Sequence, residues 1–262
     1  MKIALMDSGI GLLAAAAVVR RLRPDADLVL SSDAPEGMPW GPRTPEYVTA
    51  HALDVARAAA DHRPDALIVA CNTASVHALP ALRAELEPTL PVIGTVPAIK
   101  PSVAGGGPVA IWATPATTGS PYQRGLIGEF ARSVDVTEVP CPGLADAVQN
   151  ADETAIDLAI AAAAARTPRD VRAVVLGCTH YELVAERIRA AVRQPGLPHV
   201  ALHGSAGAVA AQALRRIGAE PAPSAEPSGG LAVLLGGRPA DLPTAALAYA
   251  EGQLLGAVSP AR

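Results

Sequence analysis

Two tripeptides hold the residue types that acid–base chemistry needs: Cys71-Asn72-Thr73 and Cys178-Thr179-His180. The first follows the apolar run Ala66-Leu67-Ile68-Val69-Ala70. The second follows Ala173-Val174-Val175-Leu176-Gly177, and both lead into helical patterns. Ligands of open α/β sheets bind at the carboxyl ends of strands. A cysteine at a helix start feels the positive end of the helix dipole, which lowers its pKa from ~8.5. One such thiol from each half of the chain suits two proton-transfer groups acting on one substrate from opposite sides. His180 would orient or deprotonate Cys178, or meet the substrate itself. From these residues alone, a structural role for both thiols is equally open. Zinc fits poorly, because Cys-x-His is not its usual pairing and no CxxC is present.

Three further segments carry polar groups at strand ends. Asp7-Ser8-Gly9-Ile10-Gly11-Leu12-Leu13-Ala14 follows the first apolar run. Its Gly9-x-Gly11-x-x-Ala14 pattern matches a dinucleotide fingerprint, but a carboxylate at Asp7 would repel a pyrophosphate. It suits an ammonium group or a thiol needing a base; a plain turn capped by Asp7 is the alternative. Pro39-Trp40-Gly41-Pro42 reads as a rigid turn whose Trp40 and Gly41 N–H groups suit a carboxylate, or as a turn and no more. Ala113-Thr114-Pro115-Ala116-Thr117 offers hydroxyls for the same purpose, although capping by Thr117 or Thr118 explains them equally. Cys141, beside Pro142, reads as a buried thiol. His51, His62, His77, His199 and His203 read as helix-surface or loop residues.

The elements that must position these groups alternate along the chain. Strands are predicted near 2–6, 27–32, 66–70, 91–95, 108–112, 134–139, 171–176, 199–203 and 231–235. Helices are predicted near 11–22, 45–61, 74–86, 118–132, 152–165, 181–192, 206–217 and 243–254. This alternation predicts an α/β fold with parallel sheets. Strand–Cys–helix occurs once in each half, so the expectation is two similar lobes with the active site in the cleft between them. Pro221 to Gly230 reads as a loop, after which too little chain remains for a domain of its own.

The bulk numbers set limits. The chain has 262 residues, half of them hydrophobic, with only two Trp, four Tyr and one Phe, so Ala, Val and Leu fill the core. A net charge of −4 gives no basic footprint for nucleic acid. Three cysteines imply no disulfide framework and a reducing compartment. No signal peptide is recognisable, and no uncharged apolar run reaches the ~18 residues a membrane span needs. The expectation is a cytoplasmic protein without membrane contact.

Together these segments resemble the cofactor-independent glutamate racemases of the aspartate/glutamate racemase family. The matching stretches are Asp7-Ser8-Gly9-Ile10-Gly11, Pro39-Trp40-Gly41, Ala70-Cys71-Asn72-Thr73-Ala74-Ser75, Ala113-Thr114-Pro115-Ala116-Thr117 and Leu176-Gly177-Cys178-Thr179-His180-Tyr181, in the family's order. The resemblance implies one lobe from residues 1–96 with 205–262 and a second from 97–204. It implies Cys71 and Cys178 as the acid/base pair, Asp7 and His180 as their assistants, and Ser8, Trp40, Gly41, Asn72, Thr73, Thr117 and Thr179 as the groups that hold the amino acid. It implies no cofactor or metal, a small amino-acid partner, and D-glutamate made for peptidoglycan. A homodimer is left open.

The chain departs from the family pattern at Leu12 (usually glycine), Trp40 (tyrosine), Val96 (near a common glutamate), Gln149 (glutamate), Glu182 (proline) and Gly204 (aspartate). Aspartate racemases tend to carry Glu where this chain has His180, which favours glutamate. Racemisation of aspartate or another amino acid, a catalytically weakened amino-acid binder or regulator, and a nucleotide-dependent enzyme built on the glycine pattern are the alternative readings.

Overall fold

Apolar runs dictate where the central strands lie. The structure, a computed structural model, describes residues 1–38, 40–41, 43–196 and 198–257. Its strands in chain order are β1 (Lys2–Asp7), β2 (Asp27–Ser32), β3 (Ala66–Val69), β4 (Val92–Gly94), β5 (Val109–Ala113), β6 (Val136–Pro140), β7 (Ala173–Leu176), β8 (Ala201–His203), β9 (Leu231–Leu235) and β10 (Arg238–Pro239). The first nine match the predicted strands. Along β1, β3, β5 and β7 nearly every residue is buried, the pattern of parallel strands covered on both faces.

The chain divides into two compact units, Met1–Val96 with Ala206–Arg262, and Pro97–Ser205. The first holds a six-stranded sheet in the order β10-β9-β2-β1-β3-β4, parallel except for the short β10. The second holds a four-stranded parallel sheet in the order β6-β5-β7-β8. The two share a topology: the first strand sits centrally, the second pairs on one side, and the third and fourth follow on the other. The first core packs Leu67, Val69 and Val92 against helix residues such as Ala52, Val55 and Ala56. The second packs Ile111 and Val175 against Ile99 and its neighbours.

Several helices differ from expectation. The stretch expected as one helix over 74–86 is two, Asn72–His77 and Leu79–Leu86. Pro80 in the second residue of the latter has no N–H to continue the former. The stretch expected over 181–192 divides into Thr179–Glu182 and Ala185–Val192. Those expected from 11 and 243 begin as 3-10 turns, Ile10–Leu12 and Thr244–Ala248. Short helices at Ile99–Val103 and Leu144–Gln149 were not anticipated. Among the described residues no helix is long and apolar enough to cross a membrane.

Arg20 ties the entry of β9 to the first unit. It lies on the helix Leu13–Leu22 and is 5% exposed. Its guanidinium donates to the carbonyls of Pro24 (3.2 Å), Ala26 (2.8 Å) and Gly230 (2.9 Å), just before β9. A Cβ on Gly229 would overlap the Ala26 carbonyl and this guanidinium, so the approach requires glycine. Replacing Arg20 with Met removes the side-chain donor from all three carbonyls; Pro24 and Gly230 keep the backbone N–H groups of Gly229 and Leu28. Urea denaturation should show a loss of about 3 kcal/mol, with faster proteolysis in the 217–230 loop; an unchanged midpoint would contradict this role.

Candidate active site

In the first unit, β1 and β3 pair in parallel with Met6 opposite Val69, and the Ala70 N–H donates to the Met6 carbonyl at 2.8 Å. Asp7 and Cys71 therefore leave the sheet side by side. The chain runs from β1 to β2 on one side and then to β3 on the other. This makes the β1/β3 edge a topological switch point, where α/β sheets take their ligands. Asp7 is fully buried, and its Oδ1 accepts the Ser8 N–H at 2.6 Å and the Ser8 hydroxyl at 3.3 Å. It does not cap the turn that follows, whose leading residue is Gly9. Cys71 is extended (φ −143°, ψ 120°) and precedes the helix Asn72–His77. Asn72 is 5% exposed, yet neither its amide nitrogen nor its oxygen has a hydrogen-bond partner. Thr73 beside it is half-buried.

The loop after β2 is held by a carboxylate that sequence reasoning passed over. Asp33 Oδ2 accepts the Trp40 indole N–H at 2.7 Å and lies 2.7 Å from His51 Nδ1, while Oδ1 accepts the Ala34 N–H at 2.8 Å. Tyr47 stacks on His51 with centroids 4.0 Å apart. The Trp40 side chain is thus a core group, 1% exposed, and His51, half-buried on the helix Pro45–Ala60, is bound to the same carboxylate. Gly41 is half-buried, with open space where a Cβ would stand. Pro39 and Pro42, read as the rigid ends of this turn, lie outside the described residues.

The second unit repeats the arrangement with different chemistry. β5 and β7 pair with Trp112 opposite Leu176, and this edge is the switch point of the second sheet. The Gly177 N–H donates to the Trp112 carbonyl at 2.7 Å, and a Cβ on Gly177 would stand only 2.8 Å from that oxygen. Glycine therefore lets Cys178 leave the sheet edge at this point. Cys178 is half-buried, extended, and followed by Thr179–Glu182; Thr179 and His180 are buried. His180 Nδ1 lies 3.9 Å from Cys178 Sγ, and its Nε2 lies 3.0 Å from Gln149 Oε1. Burial pushes the His180 imidazole down to about 4.

After β5, the Thr114 hydroxyl donates to that of Thr117 at 3.2 Å, and Thr117 is buried. Neither Thr117 nor Thr118 caps the helix Pro121–Phe130; Ser120 does, accepting the Gln123 N–H at 3.2 Å. Gln123 is fully buried with both amide atoms unpartnered, a polar residue that no motif singled out. Cys141 follows β6, donates to the Val139 carbonyl at 3.4 Å, and is pushed up to about 12 by burial. Among the described residues no group of three or more His, Cys, Asp and Glu is placed to hold a metal ion.

Two measurements test this geometry. In native protein a thiol reagent should modify Cys178 and spare Cys141 until unfolding; equal rates would contradict the burial difference. The folded imidazole of His180 takes a proton only near pH 4, whereas an unfolded histidine takes it near ~6.5. The unfolded state therefore binds the proton first as pH falls. Stability should decline between these values by about 3 kcal/mol and then level. Denaturation of His180→Gln should show a shallower decline over that window; an identical slope would remove the effect.

Known proteins are similar to this chain in sequence and fold. A family model described as Asp/Glu/Hydantoin racemase matches residues 13–216. A glutamate racemase of Pseudomonas putida is 32% identical over 238 residues, covering 87% of this chain and 85% of that one. A glutamate racemase of Roseiflexus sp. is 37% identical over 196 residues, 72% of this chain and 70% of that one. Among solved structures, Escherichia coli glutamate racemase in complex with L-glutamate and activator UDP-MurNAc-ala superposes with a TM-score of 0.76 at 25% identity, covering 97% of this chain and 92% of that one. Thermus thermophilus glutamate racemase in complex with beta-chloro-D-alanine gives 0.69 at 31% identity over 100% and 95%. With most of its length matched, this chain belongs to the Asp/Glu/hydantoin racemase family.

Proposed function

We propose that this protein is a glutamate racemase that inverts the α-carbon with two thiols and no cofactor. Cys71 and Cys178 are the acid/base pair: one thiolate takes the α-proton from one face, and the other thiol returns a proton to the opposite face. Asp7 assists Cys71, and His180 assists Cys178. Ser8, Asn72, Thr73, Thr117 and Thr179, with the backbone N–H groups of Trp40 and Gly41, hold the amino acid. Relatives named glutamate racemase support the substrate assignment. By the same reading, D-glutamate is made in the cytoplasm for peptidoglycan.

The observation that carries this reading is the Asn72 amide. A buried polar group without a partner costs ~1–3 kcal/mol, so it is retained where a ligand satisfies it. Asn72 presents a donor and an acceptor directly after Cys71. An α-amino acid supplies the complements of both, an ammonium and a carboxylate. Preorganised donors of this kind stabilise the charge that grows at the α-carbon when its proton leaves.

Gln149 favours one competing reading, an amino-acid binder of the same fold with little turnover, since an amide cannot take up a proton as a carboxylate does. Circular dichroism of L- and D-glutamate with pure protein and no added cofactor separates the two, with aspartate as a second substrate. Racemisation should be seen, and Cys71→Ser and Cys178→Ser should each lower it by about a hundredfold or more. Undiminished turnover in either variant would eliminate the thiol pair.

A further inference from the structure

Gln149 is the last residue of the helix Leu144–Gln149, which begins at Gly143 (φ 75°) after the Cys141-Pro142 turn. Its side-chain oxygen lies 3.0 Å from His180 Nε2. An amide oxygen only accepts, so Nε2 must carry a hydrogen. A neutral imidazole carries one hydrogen, which leaves a bare lone pair on Nδ1. Nδ1 is the nitrogen nearer the Cys178 sulfur, 3.9 Å away. We propose that Gln149 is a positioning residue that holds His180 in the Nε2–H tautomer, so that Nδ1 accepts the proton of the Cys178 thiol. The inference rests on the racemase reading for the use made of Cys178. In the step, the S–H bond breaks, its electron pair stays on sulfur, and the proton forms an N–H bond at Nδ1; no other reactant is needed.

The surroundings keep the ring neutral at rest, the state in which Nδ1 has a lone pair. Cys178 faces His180, Tyr181 and Glu182 follow it on the same segment, and Cys141 and Asp146, from the segment after β6, act on the adjacent Tyr181. Tyr181 and Cys141 are held protonated by burial. Glu182 accepts from Ser205, and Asp146 is exposed. Burial is the cause of the lowered His180 pKa, and no carboxylate offsets it. An amide at 149 orients the ring without stabilising the imidazolium. A carboxylate at the same place would orient it and stabilise the cation as well.

The test is ring-nitrogen NMR of 15N-histidine protein, with His180 assigned by its absence in His180→Gln. At neutral pH the wild type should show a protonated Nε2 and an unprotonated Nδ1. Gln149→Glu should keep that tautomer, raise the His180 titration midpoint by about one unit or more, and move the acid limb of kcat/KM upward with it. An Nδ1–H tautomer in the wild type, or an unmoved midpoint in Gln149→Glu, would overturn the proposal. The wild-type spectrum needs no variant beyond the assignment. If the expected tautomer and midpoint shift appear without any racemisation, the positioning by Gln149 stands and only the racemase reading falls.

Discussion

Parallel pairing of the first and third strands in each unit, β1 with β3 and β5 with β7, sets the conditions for everything else. Helices cover both faces of such strands, so a polar side chain along them would lose its hydrogen bonds to water. Ile3 to Met6 are wholly buried and apolar, and the first polar residue appears where β1 ends, at Asp7. The same holds for β3, which reaches Cys71 and Asn72 only after four buried apolar residues and Ala70. Because the chain leaves the central strand in opposite directions, the loops diverge at this edge and leave polar ends accessible to a ligand. Chemistry is pushed to the strand ends by the same burial that stabilises the sheets.

The two edges repeat in topology but not in charge. At the first, a buried carboxylate already accepts two hydrogen bonds from Ser8. At the second, a buried imidazole is paired with an amide. A carboxylate that takes a proton becomes neutral, which burial favours; an imidazole that takes one becomes a cation, which burial opposes. The unit structure is duplicated, and the two edges carry different proton-handling groups, a carboxylate and an imidazole.

Much of this was legible in the residues. Nine strands could be placed because most are apolar runs, and the helices predicted near 45–61 and 152–165 begin where Thr44 and Asp152 accept the N–H groups of Tyr47 and Ala155. β10 was not legible, since two residues with a proline carry no periodicity. Breaks within the helices after Cys71 and Cys178 were hidden because apolar spacing continues across them. Partners distant in sequence were the hardest: nothing near Asp33 announces His51, and nothing near Gln123 announces burial. The Trp40 side chain was not legible as a core group, because its indole partner Asp33 carries no motif around it.

Two departures that look independent in sequence are one change in three dimensions. Glu182 stands where the family resemblance has proline, and Gly204 where it has aspartate. The Glu182 Oε1 accepts both the N–H and the hydroxyl of Ser205 at 2.8 Å. A Cβ on Gly204 would overlap the same carboxylate. The carboxylate has moved from the loop to the segment that follows Cys178, and the loop has lost its side chain to make room. A side chain at 204 would push the Glu182 carboxylate aside, and losing the carboxylate would remove the acceptor of both Ser205 donors. Leu12 belongs to a similar class, a small residue exchanged for a buried one in the turn after β1. Val96 does not: it is half exposed, and nothing in the structure explains it. The departures nearest Cys178 thus preserve the hydrogen bonding of the edge that bears it. That is the pattern expected where the geometry around a thiol is kept while the residues supplying it change.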